Sequence, residues 1–577
     1  MRYRWKLSIL LALGCAARVA YVLAQPSTDP AFAQPMLDGE YYLAVARSLV
    51  AGTPSPEAGA FYLAPLYSRV LAAWMTVAGE GFASLYLAQQ GLMVAAAALL
   101  AATARRAGGD TAGLAAAAMA LLYHPFLFFP SRPLGEALSL LLLAAALWLV
   151  DRPAWLPKAA AGLVAGVASL ARPNLLLVPA SWIVRDGVGR RWKPALLLSA
   201  GLAAAIAPSA LRNGIASGHL VPISSNGGIT LFHGNGPGAV GIFAKPAGLS
   251  GRVMDQRQEA TAVARARTGL PLDDVEADGW WGREAVHVRL SDPFGTLLLV
   301  GRRVLLLADS AEHGLDYAPD LDENPWRFAA PLSFATILAL AVAGVWLRGL
   351  GGTGGPSLWL AAATSAAAPV VFFAASRYRL PLAALLCVPA GVGAAALVEE
   401  ISTRPARRAI AAGVAAAALS VFVPSADLSR SEHATALANL SVLRRRQGNL
   451  DDAMRLARQA LSEDPTSSSA RYNLGVFLAA KGDRSGAEAA YRELLGRDPG
   501  FAEAAVNLSS LLLGEGRAPE AVPVLRQALS VRPSHAKCWK NLVAALLLSG
   551  DAEGARMAAA QALSAGVVLD NVPQLGH

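Results

Sequence analysis

Two carboxylates and two tyrosines crowd into five residues, Asp38-Gly39-Glu40-Tyr41-Tyr42, just beyond the first apolar run of the chain. A carboxylate beside a membrane surface can take the proton of an attacking hydroxyl, or orient it, if it lies within hydrogen-bond reach. Asp38 and Glu40 are therefore catalytic candidates, with Tyr41 beside them on the substrate side. A second reading of Asp38 is open at this stage, because it precedes the amphipathic run 41–50 and could cap it. Arg132 and Glu136 flank a turn before the apolar run 134–150. An ionisable group at membrane depth is costly and points to a paired or functional role, so Glu136 joins the catalytic candidates. A helix N-terminus would also favour it through the dipole. Arg172, Arg377 and Arg379 stand at the ends of apolar runs beside Pro173 and Pro381. Guanidinium groups bind phosphate bidentately, which makes these three candidates for a lipid-phosphate headgroup, with snorkelling to the interface as the competing reading.

Further polar residues fall in two loops. Tyr62 and Pro65-Leu66-Tyr67 introduce an amphipathic stretch, 66–79, that reads with 41–50 as a pair of helices lying along the membrane surface. The segment from Arg212-Asn213 through Asn226-Gly227-Gly228 to His233-Gly234-Asn235 is dense in Gly, Ser and Asn. Such a loop can bring backbone donors and amides close to a sugar or phosphate, and it is also an ordinary connector composition. Tyr67, Arg212, Asn226, His233 and Asn235 are the substrate-loop candidates. His233 has no partner at metal-ligand spacing, so a metal is left open.

The elements that must position these groups are apolar helices. The chain has 577 residues, 54% hydrophobic and 16% charged, with a mean hydropathy of +0.41. That composition excludes an ordinary soluble domain and is expected of a polytopic membrane protein. A bilayer needs about 20 apolar residues per helix. Runs of that order fall at 7–24, 82–104, 112–129, 134–150, 194–211, 328–347, 358–375, 380–398 and 409–424. The block 158–185 is broken at Arg172-Pro173 and reads as two short helices meeting there, since proline disfavours helix in the residue before it. About eleven membrane helices are expected on this count. The first run, behind Arg2, Arg4 and Lys6, reads as an uncleaved anchor rather than a signal peptide. The net charge of +9 arises from Lys and Arg scattered through short loops, which excludes a nucleic-acid face and sets topology instead. With the N-terminus inside, Arg105-Arg106, Arg152, Lys158, Arg185, Arg190-Arg191, Lys193, Arg348, Arg404 and Arg407-Arg408 all fall inside. Loops 25–81 and 212–327, and everything after 424, then lie outside. Three distant cysteines, Cys15, Cys387 and Cys538, support neither a disulfide framework nor a zinc site.

The C-terminal part carries a fixed period. Asn439, Asn473, Asn507 and Asn541, each followed by Leu, recur every 34 residues, as do Gly448, Gly482, Gly516 and Gly550, and Ala453, Ala487, Ala521 and Ala555. Pro465, Pro499 and Pro533 share the spacing. Four such units resemble the tetratricopeptide repeat, which implies an α-solenoid over 428–577 that offers an extended surface to a protein partner.

Taken in order, the motifs of 1–427 resemble the membrane-integral GT-C glycosyltransferases of the protein-mannosyltransferase and aminoarabinose-transferase type, often labelled family 39. The resemblance rests on Asp38-Gly39-Glu40-Tyr41-Tyr42, Pro65-Leu66-Tyr67, Pro133-Leu134-Gly135-Glu136, Leu170-Ala171-Arg172-Pro173, the loop 212–235 and Arg377-Tyr378-Arg379-Leu380-Pro381. It implies an all-α enzyme that moves a sugar from a polyprenyl-phosphate donor to a hydroxyl of a protein, glycan or lipid on the extracytoplasmic face of a bacterial inner membrane. Asp38 would match the catalytic aspartate of the first loop, and Arg377 and Arg379 would hold the donor phosphate. Ala64 stands where relatives often carry a charged residue before the proline, so a divalent metal is possible rather than required. The absence of a GxGxxG unit agrees with a lipid-linked donor. Two other functions fit the same features. One is a glycan polymerase or ligase using a lipid-diphosphate donor, and the other a membrane scaffold for envelope assembly in which the solenoid does the work.

Overall fold

The computed structural model describes residues 2–57, 59–246, 249, 252–315, 317–403 and 426–569. Among them secondary structure is helical, with one isolated bridge between Tyr123 and Leu332. The expected span at 409–424 lies outside the described residues. Two compact units are present, one built from Met1–Ala244 and Trp281–Ala426, the other from Lys245–Trp280 and Asp427–His577. Residues 245–280, read from sequence as part of the outer loop 212–327 in a domain ending at 427, thus pack with the repeats.

Among the described residues of the first unit five helices are long and apolar enough to cross a membrane: Arg2–Thr28, Phe82–Leu122, Trp192–Ser217, Phe334–Gly352 and Ser376–Glu400. Eleven are not reached among the described residues. Glu136–Val150 has 15 residues, and Trp155–Ala171 and Gly355–Val371 have 17 each, short of the ~20 that a 30 Å hydrocarbon core asks of an untilted helix. The runs 82–104 and 112–129 are joined in one helical element broken at Gly108 and Gly109, where Gly109 takes φ 80°. The block 158–185 divides at Arg172 as its proline dictates: Trp155–Ala171 stops, Pro173–Leu176 makes a 3-10 turn, and Leu177–Val188 continues. The two amphipathic stretches of the first loop form Asp38–Ala51 and Pro65–Ala78.

Small residues let the apolar helices approach closely. Gly162 and Gly201 bring Trp155–Ala171 against Trp192–Ser217, and Gly344 and Gly393 do the same for Phe334–Gly352 and Ser376–Thr403. A methyl group on Gly201 would run into the Ala159 carbonyl oxygen, and one on Gly393 into the Leu340 carbonyl oxygen. Where apolar helices gain nothing by hiding from lipid, such backbone-to-backbone packing is a main source of association.

In the second unit four helix pairs follow the 34-residue period: Ala426–Arg446 with Leu450–Glu463, Ser468–Lys481 with Arg484–Arg497, Ala502–Gly514 with Ala518–Val531, and Ala536–Leu548 with Ala552–Ser564. The periodic glycines turn each pair at φ 75–89°, a left-handed backbone that a side chain would strain. The periodic asparagines stitch neighbours: Asn473 donates to the Ala438 carbonyl oxygen at 3.0 Å and Asn541 to Ser509 Oγ at 2.9 Å.

Substitution at the close contacts should separate packing glycines from neutral ones. Gly201→Ala is expected to lower stability by about 1–3 kcal/mol through overpacking. Gly91→Ala, where an added methyl meets nothing within 4 Å, should be neutral or stabilising by up to ~1 kcal/mol from helix propensity. Thermal unfolding of both variants in detergent checks the contrast.

Candidate functional site

Four residues that are far apart in sequence meet in one cluster. Arg377 donates from Nη1 to Asp38 Oδ2 at 2.9 Å and from Nε to Glu136 Oε1 at 2.8 Å. Arg172 Nη1 lies 3.5 Å from the same Glu136 oxygen and donates to the Arg377 carbonyl oxygen at 2.8 Å. Its guanidinium stands 5.6 Å above the Tyr378 ring. Each group sits at a helix end. Asp38 and Glu136 open Asp38–Ala51 and Glu136–Val150, where the dipole favours a carboxylate. Arg172 follows the last turn of Trp155–Ala171, where it favours a cation. Arg377 lies in the first turn of Ser376–Thr403, the wrong end for a cation, and two carboxylates offset that.

The side chain of Glu136 is 2% exposed, that of Arg377 9%, and that of Asp38 24%. Asp38 is thus the open edge of the cluster and Glu136 its buried floor, with Glu136 Oε2 lacking a hydrogen-bond partner among the described residues. Two carboxylates match two guanidinium groups, so the cluster is charge-neutral and offers forked cations rather than a cation cage. Asp38 does not cap its helix. Leu37 holds the N-cap position without a side-chain cap bond, at φ 49°. A leucine in this left-handed region costs on the order of 1–3 kcal/mol, and the turn it makes carries the Asp38 side chain toward Arg377. Gly39 follows because Pro133, Pro35 and the Tyr317 hydroxyl crowd its Cα.

Arg379 belongs to a different cluster. Two residues past Arg377 on the same helix, it pairs with Glu312 Oε2 at 2.8 Å and donates to the carbonyl oxygens of Asp309 and Ala311 at 2.6 and 2.9 Å. Glu312 also accepts from the Tyr123 hydroxyl at 2.9 Å. Asp309 is buried, which alone would raise its pKa. The His313 ring and the Ala311 N–H outweigh this and hold it below the usual carboxylate range. Arg379 therefore pins the loop 309–313 rather than facing Asp38.

The loop candidates are also placed as supports. Tyr41 and Tyr67 are buried. Tyr67 gives its hydroxyl to Gln89 Oε1 at 2.8 Å, and Gln89 in turn donates to the carbonyl oxygens of Pro130 and Arg132. Glu40 is half-buried and makes no ion pair among the described residues. Arg212 stacks over Phe61 at 4.0 Å and donates to the carbonyl oxygens of Glu57 and Gly59, so it closes the first loop onto Trp192–Ser217. Asn226 caps the start of Gly227–Asn235 by position and takes a hydrogen bond from Ser224. Burial pushes the His233 imidazole down to about 4, leaving it neutral near pH 7, with Nδ1 3.1 Å from the Ala244 carbonyl oxygen. Asn235 donates to the carbonyl oxygens of Leu231 and Val371, and its own Oδ1 accepts from buried Arg303.

Three positioning groups were not singled out from sequence. Asn213 accepts from the Phe61 N–H and donates to the carbonyl oxygens of Val221 and Ile223. Arg303 gathers the carbonyl oxygens of Gly234, Val370 and Val371. Asp29 pairs with Arg132 at 2.5 Å. Asn213 and Arg303 are an amide and a charge in otherwise apolar or glycine-rich stretches, which was the available signal, whereas Asp29 lies in a polar stretch that carried none.

The ion pairs differ in how much folding rests on them. Arg377→Ala strands Glu136 as a buried charge and is expected to cost about 3–5 kcal/mol, whereas the joint change Arg377→Met with Glu136→Gln should recover most of that. Asp38→Asn, at the exposed edge, should cost no more than about 1 kcal/mol. Thermal unfolding of the three variants in detergent is the measurement.

Comparison with known proteins bears on the C-terminal part. A family model described as tetratricopeptide repeat matches residues 444–511, and a second of the same description matches 406–468 and 506–566. No curated protein matches the chain. Among solved structures the chain is similar to residues 41 to the end of MamA from Desulfovibrio magneticus RS-1, at 22% identity over 23% of this chain and 75% of that one, with a TM-score of 0.21. It is also similar to pilF of Pseudomonas aeruginosa, at 25% identity over 24% of this chain and 63% of that one, with a TM-score of 0.22. Residues 406–566 are tetratricopeptide repeats.

Proposed function

We propose that the first unit transfers a sugar from a polyprenyl-phosphate donor to a hydroxyl acceptor on the extracytoplasmic face of a membrane, and that the repeats recruit the acceptor or a protein partner. One observation carries the reading: the two carboxylates and two of the arginines chosen from sequence for proton and phosphate chemistry, Asp38, Glu136, Arg172 and Arg377, meet in a single cluster whose outermost member is Asp38.

The chemistry uses those four residues. A phosphate anion competes with Asp38 for the Nη1 edge of Arg377, and a guanidinium fork suits two phosphate oxygens. Arg172 adds a second cation, while buried Glu136 keeps both arginines oriented. Displaced from Arg377, the Asp38 carboxylate is free to take the acceptor proton. The acceptor oxygen then bonds to the anomeric carbon, and the bond from that carbon to the phosphate oxygen breaks. The electron pair leaves on polyprenyl phosphate, whose added negative charge the arginines stabilise. Glu40 and Arg379, on this reading, support the site from outside it.

The basic loops favour a cytoplasmic N-terminus with the repeats outside, and on this reading a reporter fused after residue 577 should be active only on the extracytoplasmic side.

The decisive assay is transfer in reconstituted vesicles. Asp38→Asn should lower turnover by about 10²–10⁴-fold, the range for loss of a positioned proton acceptor, in a protein that unfolds at nearly the wild-type temperature. Arg172→Lys should weaken donor binding as well, because an ammonium cannot reproduce the fork. Turnover of Asp38→Asn within a few-fold of wild type would remove the catalytic role and favour the scaffold reading, in which the cluster only ties helix ends together.

A further inference from the structure

The third repeat departs from the 34-residue pattern at the positions where a segment from elsewhere in the chain touches it. Before the closing proline the first two units carry Asp464 and Asp498, and the third carries Arg532. Asp464 serves its own turn, accepting from the Thr466 N–H and the Ser431 hydroxyl. Arg532 instead reaches two carboxylates, Glu503 at 2.8 Å and Glu259 at 2.8 Å, and its side chain is only 7% exposed. Glu503 stands where the neighbouring units have Ser469 and Lys537, and Phe501 where they have Ser467 and His535. Phe501 lies under the ammonium of Lys245 at 4.8 Å. Phe501, Glu503 and Arg532 thus differ from their periodic equivalents: Phe501 and Arg532 contact residues 245–280, and Glu503 holds Arg532.

The segment braces itself. Val253–Thr268 closes on Gly269 at φ 71°, and Asp273 then caps the next helix through the N–H groups of Val275 and Glu276. Arg257 pairs with Asp274, and Arg265 donates to the Leu272 carbonyl oxygen. A unit with its own internal bonds can leave a surface without unravelling. Its apolar anchors are small: Val253–Thr268 buries Ala260 and Ala264, and Leu249 and Ala277 are buried on either side. The specific link is the Arg532–Glu259 pair, whose side chains are 7% and 18% exposed.

We propose that Phe501, Glu503 and Arg532 form a docking site on the third repeat that the chain fills in cis with residues 245–280, as a releasable strap. This inference does not depend on the transfer reaction. The occupant is identified by complementarity: Glu259 supplies the second carboxylate of a buried arginine, and Lys245 supplies the cation over an aromatic ring.

Hydrogen exchange and peptide binding on the full-length protein in detergent test it. In Glu259→Lys, exchange over 253–268 should rise at least tenfold, while Leu450–Glu463 in the first repeat keeps its protection and reports an intact solenoid. A labelled synthetic peptide of residues 245–280 should bind Glu259→Lys at least tenfold more tightly than wild type, since the cis occupant is gone. Adding Arg532→Ala should abolish that binding. Unchanged exchange in Glu259→Lys, or peptide binding that is alike in wild type and variant, overturns the proposal.

Discussion

The first unit depends on one guanidinium. Arg377 bonds Asp38 from the first loop and Glu136 from the start of a later helix, and its own carbonyl oxygen receives Arg172 from a broken third. Remove it and a carboxylate with 2% side-chain exposure loses its closest counter-ion, a penalty set by desolvation rather than by the worth of the pair itself. The side chain is therefore a structural knot, and under the proposed function it is also the place for an anion. The two roles are compatible because an arginine without a counter-ion would itself be an unpaired buried charge.

Helix ends supply the means. Proline stops the helix at Arg172, a proline-leucine-glycine turn starts one at Glu136, and a leucine at φ 49° starts one at Asp38. Ends leave backbone groups unpaired and carry the dipole, so charges can gather there within an otherwise apolar helical unit. Arg379 shows how strict the geometry is. Two residues from Arg377 on a helix points a side chain to another face, and it serves the loop 309–313 instead.

The repeats present the opposite economy. Their period enforces a common turn and a common asparagine stitch, so a departure from it stands out against three copies of the same environment. Arg517 is one such departure, replacing the cap residues Asn449, Asp483 and Asp551 with a cation that gathers Glu488, Glu515 and Glu520. These exposed pairs contribute little each. Arg532 is another, and there the partner Glu259 comes from outside the repeats.

Local chemistry by itself determined much of this protein. Apolar runs and their prolines set the helices and the break at Arg172, and a 34-residue period set the repeats, because both depend on neighbours within a few residues. Asp38, Glu136, Arg172 and Arg377 were recognisable as charges too costly to leave idle near a membrane. Which of them meet was decided by tertiary packing alone. The same residue types put Arg379, His233 and Asn235 on the candidate roster, and the fold made them anchors for loops, since a guanidinium or amide serves a carbonyl oxygen as readily as a phosphate. Five helices among the described residues are long and apolar enough to span, fewer than the apolar runs suggested, because hydropathy registers burial in a helical core and burial in lipid alike. Nor could sequence assign residues 245–280 to the repeats. One contact behind that assignment is the pair of Arg532 with Glu259, 273 residues apart in the chain, and no local pattern encodes such a distance.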